Sequence, residues 1–204
     1  MEINLLYLSI LSFILISTSA ISLNSRFKDI IDTVYPVSNT KAFSDIPILK
    51  ENVGFPILSA QSVMAVDLVS GVTLYEKDPQ KTLLPASTTK IVTALVSLDT
   101  YEPDQILKVG KVSIIGQKMG LMWGEEMKFI DILKGLLIYS SNDAAEVLAN
   151  NYPEGRDVFI TLMNKKAKDL ELTDTHFSNP SGLDAVDQYS TAKDLITISK
   201  VAMQ

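Results

Sequence analysis

From Pro79 to Leu98 the chain carries no acidic residue, and within it Ser87 to Leu98 predicts a helix. Ile91, Val92, Ala94, Leu95, Val96 and Leu98 cover most of that helix's circumference. A helix apolar nearly all round has no face to give to water, so it belongs in the middle of a domain. The rest of the sequence must then supply a shell. Ser62 to Leu68 and Val72 to Lys77 read as strands joined across Ser70-Gly71, a hairpin. A strand-and-turn region ending at Trp123-Gly124 leads into a helix carrying Phe129, Ile132, Leu133, Leu136 and Leu137. Tyr139-Ser140-Ser141 breaks that helix, and Asn142-Asp143 are suited to cap a further one over Ala144 to Asn150. Asp157 to Leu170 is amphipathic, with Phe159, Ile160, Met163 and Ala167 on one face. Asn179-Pro180-Ser181-Gly182 is a loop, and a last helix from Thr191 carries Leu195, Ile196, Ile198, Val201 and Ala202. There is no internal repeat.

The first residues are of another kind. Ile3 to Ser25 is uncharged, with small residues at Ser17-Thr18-Ser19-Ala20. This is the pattern of a secretory leader with its cleavage site, although Glu2 stands where a basic residue is usual. The run is also long enough to cross a bilayer of ~30 Å hydrocarbon, so residues 1–20 are expected to be a signal peptide or an anchor. Either implies export to the periplasm or the outer face of the cytoplasmic membrane. Residues 21–58 read as a short amphipathic helix (Phe27, Ile30, Ile31, Val34) and a proline-punctuated tether. The helix suits either a membrane surface or the protein's own domain. Residues 59–204 are the expected domain.

Composition removes several chemistries. With 18 basic and 24 acidic residues the net charge is −6, and no basic block exists, which argues against nucleic acid as a partner. No cysteine and one histidine leave no disulfide framework, no thiolate nucleophile and a poor ligand set for zinc. A Ser-His-Asp triad would have to use His176.

A serine and a lysine three residues apart on a helix can touch, and a desolvated lysine can take the serine proton without histidine. The spacing occurs four times, at Ser25/Lys28, Ser38/Lys41, Ser87/Lys90 and Ser190/Lys193. The first two lie in the leader and tether, where nothing would bury an amine. Near Lys193 stand Asp184, Asp187 and Asp194, which would hold it charged, and Ser190 suits a helix cap. Ser87/Lys90 heads the acid-free apolar helix, whose N-terminal N–H groups assist an oxyanion and depress a lysine pKa. The competing reading makes Ser87 a helix cap and Lys90 a solvent-facing side chain. Ser140-x-Asn142 tips the balance: a hydroxyl in the turn could relay a proton, and a carboxamide could hold Lys90 and a substrate amide.

The text around these residues is familiar as a whole. Ala65-Val66-Asp67, Ser70-Gly71, Leu74-Tyr75-Glu76-Lys77 and Pro85-Ala86-Ser87-Thr88-Thr89-Lys90-Ile91-Val92-Thr93-Ala94-Leu95 resemble the D-alanyl-D-alanine carboxypeptidases, the low-molecular-mass penicillin-binding proteins. So do Leu133 to Ala145, Thr175-His176-Phe177, Gly182-Leu183-Asp184 and Tyr189-Ser190-Thr191-Ala192, in the family's order. The resemblance implies an α+β, β-lactamase/transpeptidase-like fold: an antiparallel sheet with a helical cluster. It implies Ser87 as acyl nucleophile, Lys90 as general base, and Ser140 and Asn142 as the second active-site motif. It implies no metal or organic cofactor. Peptidoglycan stem peptides ending in D-Ala-D-Ala are the implied substrate, and β-lactam antibiotics the implied inhibitors.

The family's third element, Lys-Thr-Gly or Lys-Ser-Gly on a strand, does not occur in these 204 residues. The last helix also runs to Gln204 without Gly, Asn or Pro to close it, and a single hairpin is a marginal sheet. Further C-terminal strands are therefore expected beyond Gln204. Two rival functions stand beside the carboxypeptidase: a β-lactamase-like hydrolase, which needs its own deacylation base, and a non-catalytic membrane-tethered cell-wall binding protein. Glu146 is superficially placed like such a base, but its position on the helix after Ser-x-Asn favours a surface residue. His176 is expected to be structural. Trp123, Met119, Met122 and Met127 are expected to pack.

Overall fold

The computed structural model describes residues 46–51 and 54–204, so the leader and most of the tether lie outside the described residues. Val63–Val66 (β1) and Thr73–Lys77 (β2) form the expected antiparallel hairpin, with Val63 opposite Lys77 and a register shift at Ala65/Val66. Its turn is closed by the Asp67 carboxylate, which accepts from the Ser70 backbone N–H (2.7 Å) and hydroxyl (2.6 Å). Gly71 follows at φ +74°, a conformation in which a Cβ is costly. The end of the expected tether runs against β2. Lys77 Nζ donates to the carbonyls of Leu58 (2.9 Å) and Ala60 (2.7 Å), and the Phe55 and Tyr75 rings lie 6.0 Å apart.

After one 3₁₀ turn at Ala86–Thr88, helix α1 spans Thr89–Leu98. It is central, as its composition requires. Ala94 belongs to a core with Tyr101, Leu107, Phe129, Ile132, Leu136 and Leu148. Val92 and Val96, on the other side, belong to a second core with Phe159, Met163, Phe177 and Ile198. Helices α2 (Phe129–Ile138), α3 (Asn142–Asn150), α4 (Arg156–Asp169) and α5 (Ala192–Ala202) all contact it. Each fully buried phenylalanine or leucine contributes about 1.5–3 kcal/mol, as an upper estimate.

Several local expectations need correction. A second antiparallel pair exists, β3 (Ile106–Lys108) with β4 (Glu126–Lys128), and the long excursion between them offers no hairpin turn signal. Asn142 and Asp143 are not caps: Ser141 is the N-cap of α3, and both residues are buried inside the first turn. Thr191, not Ser190, caps α5, its side chain accepting from Asp194 N. Trp123 and Met122 are 82% and 71% exposed, whereas Met119 and Met127 pack on the first core as expected. Glu146 is not a surface residue. It is buried and paired with Arg156 through two hydrogen bonds of 2.7 and 3.1 Å.

Candidate active site

Ala86, at φ +48°, turns the chain so that Ser87 emerges exposed at the head of α1. A non-glycine residue there stores backbone strain, which the surrounding structure must hold in place. One turn on, Lys90 is 2% exposed. Its ammonium nitrogen lies 3.1 Å from Ser87 Oγ, 2.8 Å from Asn142 Oδ1 and 2.6 Å from the Ser181 carbonyl oxygen. Burial pushes the Lys90 pKa below the ordinary lysine range, because a charged amine is poorly solvated there.

These partners set the direction of the amine. A neutral amine has two N–H donors and one lone pair. Asn142 Oδ1 and the Ser181 carbonyl can only accept, so they take both N–H groups. The lone pair is left for Ser87, the one partner with a proton to give. That arrangement can draw a proton from the serine as it attacks.

Asn142 is held as firmly as the lysine. Its backbone N–H donates to Gln117 O (2.8 Å) and its Nδ2 to Ile115 O (2.8 Å). The carboxamide thus holds Lys90 as expected, and one of its two N–H groups is spent on the neighbouring loop. The buried Asp143 carboxylate accepts from the backbone N–H groups of Met119 (3.1 Å), Gly120 (2.9 Å) and Leu121 (3.0 Å), which orders the same loop. Ser140, at φ +57°, occupies the left-handed position that ends α2, and Ser141 N–H returns to Gly135 O (3.2 Å). Among the described residues its hydroxyl bonds neither Ser87 nor Lys90. Lys90 therefore meets both Ser87 and Asn142 directly, and Ser140 stands two residues before Asn142 in the chain.

The remaining wall comes from a loop that the sequence marks by family resemblance at Gly182-Leu183-Asp184 but to which it assigns no site residue. Ser87, Ala86, Asn142, Ile115, Ser181, Gly182, Leu183 and Asp184 line a cleft of about 480 Å³. A larger hollow of about 590 Å³ beside Phe55 and β2 holds none of this chemistry. Gly182 (φ +85°) lets its loop close on the Ala86–Ser87 turn: a Cβ there would sit inside the Ala86 carbonyl oxygen's contact radius. Asn-Pro-Ser-Gly announces a loop, but a backbone carbonyl that binds a lysine has no signature.

The other sequence candidates separate from this site. Ser190 is buried and its hydroxyl pairs with Thr175 Oγ1 (2.8 Å), while Lys193 is exposed, so that pair has no desolvated base. His176 bridges to Tyr189 in the backbone, its ring Nδ1 is 2.6 Å from Asp187 O, and its ring stacks with Tyr189, a structural role. Ser25/Lys28 and Ser38/Lys41 lie outside the described residues.

A buried Lys–Asn pair within reach of an exposed serine on a strained turn is an arrangement that can support acyl transfer without histidine. Residues 50–204 match the family Peptidase_S11, D-alanyl-D-alanine carboxypeptidase, and the chain belongs to that family. It is 36% identical to the D-alanyl-D-alanine carboxypeptidase DacF of Bacillus subtilis, over 69% of this chain and 38% of that protein. It is 38% identical to a D-alanyl-D-alanine endopeptidase of Escherichia coli, over 69% of this chain and 46% of that one. The solved structure of a D-alanyl-D-alanine carboxypeptidase from Mycobacterium tuberculosis H37Rv superposes with a TM-score of 0.69 at 37% identity, covering 74% of this chain and 58% of the other. The fold is thus the α+β transpeptidase-like one. The chain spans between 38% and 58% of the length of these relatives.

Proposed function

We propose that this protein is a serine-type D-Ala-D-Ala carboxypeptidase that removes the terminal D-Ala from peptidoglycan stem peptides. The observation that carries the reading is the buried Lys90 nitrogen, 3.1 Å from Ser87 Oγ and hydrogen-bonded to two groups that can only accept, Asn142 Oδ1 and the Ser181 carbonyl. Ser87 Oγ bonds to the carbonyl carbon of the penultimate D-Ala while Lys90 accepts its proton. The C–N bond to the terminal D-Ala breaks, and that nitrogen leaves with the proton returned through Lys90 and Ser140. Water then hydrolyses the Ser87 ester and regenerates the serine. Asn142 holds Lys90 in line throughout. A β-lactam, whose strained amide resembles the D-Ala-D-Ala terminus, acylates the same oxygen.

Such a substrate lies outside the cytoplasmic membrane, which agrees with the uncharged run Ile3 to Ser25 read as a signal peptide or anchor. Among the described residues no helix is long and apolar enough to cross a membrane. Residues 59–204 then carry the acylation chemistry, and 21–58 tether it.

A fluorescent penicillin incubated with the purified protein tests this. A covalent adduct that survives denaturation, is absent in Ser87→Ala, and decays slowly is expected, together with release of free D-Ala from a peptide ending in D-Ala-D-Ala. Rapid turnover of the penicillin would instead mark a β-lactamase. No adduct, with Ser87→Ala indistinguishable from wild type, would mark a binding protein.

A further inference from the structure

The loop between α4 and α5 reaches the site only through its backbone, and one side chain shapes that backbone. Asn179 Oδ1 accepts from Ser181 N (3.2 Å), Ser181 Oγ (3.0 Å), Gly182 N (2.8 Å) and Leu183 N (3.2 Å). Its Nδ2 donates to Leu183 O (2.7 Å). Gln188 braces the same turn from outside, accepting from Ser178 N (3.2 Å) and Asn179 N (3.3 Å) and donating to Leu183 O (2.8 Å). With the N–H groups of 181–183 turned inward to the Asn179 oxygen, the preceding carbonyls turn outward, toward α1. Two consecutive ones meet it: Pro180 O accepts from the buried Thr93 hydroxyl (2.7 Å), and Ser181 O accepts from Lys90 (2.6 Å). Asn179 itself touches neither Ser87 nor Lys90 and does not line the cleft.

We propose that Asn179 is a positioning residue for the general base: its carboxamide oxygen aims the Ser181 carbonyl at Lys90, which directs the lysine lone pair at Ser87. The proposal rests on the reading of Ser87 as nucleophile and Lys90 as base. Without the Asn179 oxygen the inward N–H groups lose their common acceptor, the turn relaxes, and the Ser181 carbonyl drifts from Lys90. The amine can then rotate, and its lone pair is no longer pinned on the serine. A misplacement of this kind, on the order of 1 Å, is enough to cost about 10²-fold in rate.

The test compares Asn179→Ala with Asn179→Asp in the purified protein, using a fluorescent penicillin as probe and following the acylation rate below each variant's thermal midpoint. Aspartate keeps the acceptor oxygen and loses only the donor to Leu183 O, which Gln188 Nε2 still serves. The expected result is acylation slowed about 30–100-fold in Asn179→Ala and restored to within about fivefold of wild type in Asn179→Asp. An alanine variant as fast as wild type overturns the proposal. So does an aspartate variant as slow as alanine. Should Asn179→Ala fail to fold, Asn179→Ser, with a shorter acceptor, is compared with aspartate on the same terms. If wild type forms no adduct at all, the nucleophile reading itself fails and the proposal falls with it, an outcome that the wild-type lane alone reveals.

Discussion

Replacing Gly182 by alanine attacks the point where the two halves of the site meet. The added Cβ would lie 2.5 Å from the Ala86 carbonyl carbon and 3.1 Å from Ser87 N, with the Ala86 oxygen nearer still. Carbon atoms in ordinary contact are ~3.5–4.0 Å apart, so the loop and the Ala86–Ser87 turn must separate by about 1 Å or more. Both contacts are backbone, so no side chain can swing away to relieve them. The φ of +85° adds its own strain, about 1–2 kcal/mol for a residue with a Cβ. Overpacking contributes a further ~1–3 kcal/mol, for a total loss of about 2–5 kcal/mol. In a domain of this size that lowers the thermal midpoint by roughly 5–15 °C. The chemical effect is larger in proportion. The separation moves Ser87 relative to Ser181 and therefore relative to Lys90, and a displacement of that size costs about 10²-fold in acylation rate. Stopped-flow acylation with a chromogenic β-lactam, paired with a thermal melt, measures both. Acylation within about threefold of wild type would refute the claim that close approach at Gly182 sets the nucleophile's position.

Lys90 makes stability depend on pH. Burial holds its folded-state pKa below the unfolded value of 10.5. Between the two, the unfolded chain binds more protons, so stability rises with pH across that window and levels off above the unfolded pKa. In Lys90→Met this rise is absent. The stability of the mutant minus that of wild type should fall steadily as pH rises through the window, on top of a constant offset from the unpaired Asn142 and Ser181 oxygens; urea titrations at a series of pH values check it. The acylation rate of wild type should rise as pH climbs through the folded pKa, the lower edge of that window, and level off within it. Glu146→Gln should leave the lifetime of the penicillin adduct unchanged within about twofold, since the carboxylate is occupied by Arg156 and lines no part of the cleft. Slower adduct decay, read by gel fluorescence over time, would make Glu146 a deacylation base after all.

Much of the fold was legible because its causes are local or compositional. An apolar circumference makes α1 central, Ser70-Gly71 makes a hairpin, and a three-residue interval on a helix puts Ser87 and Lys90 within 3.1 Å. The absence of acids from Pro79 to Leu98 marked this pair over three others of the same spacing. Where the reading failed, the cause lay at long range. Glu146 looks like a surface residue until Arg156 is brought beside it, and the β3–β4 pair joins segments separated by a long excursion. Trp123 and Met122 are apolar in composition but end on the exposed side of a loop.

What only the tertiary structure decided is the surroundings of the Lys90 nitrogen. Its three partners come from Ser87 beside it, from Asn142 52 residues on and from Ser181 91 residues on. The last acts through a peptide carbonyl, a group every residue possesses, so no side-chain identity announces it. Desolvation, likewise, is a property of everything packed around an atom and of no residue taken singly. The sequence by itself determined which serine and lysine could meet. The packing of α3 and of the 178–183 loop against α1 determined that, once met, the amine would be dry, oriented and aimed at the hydroxyl.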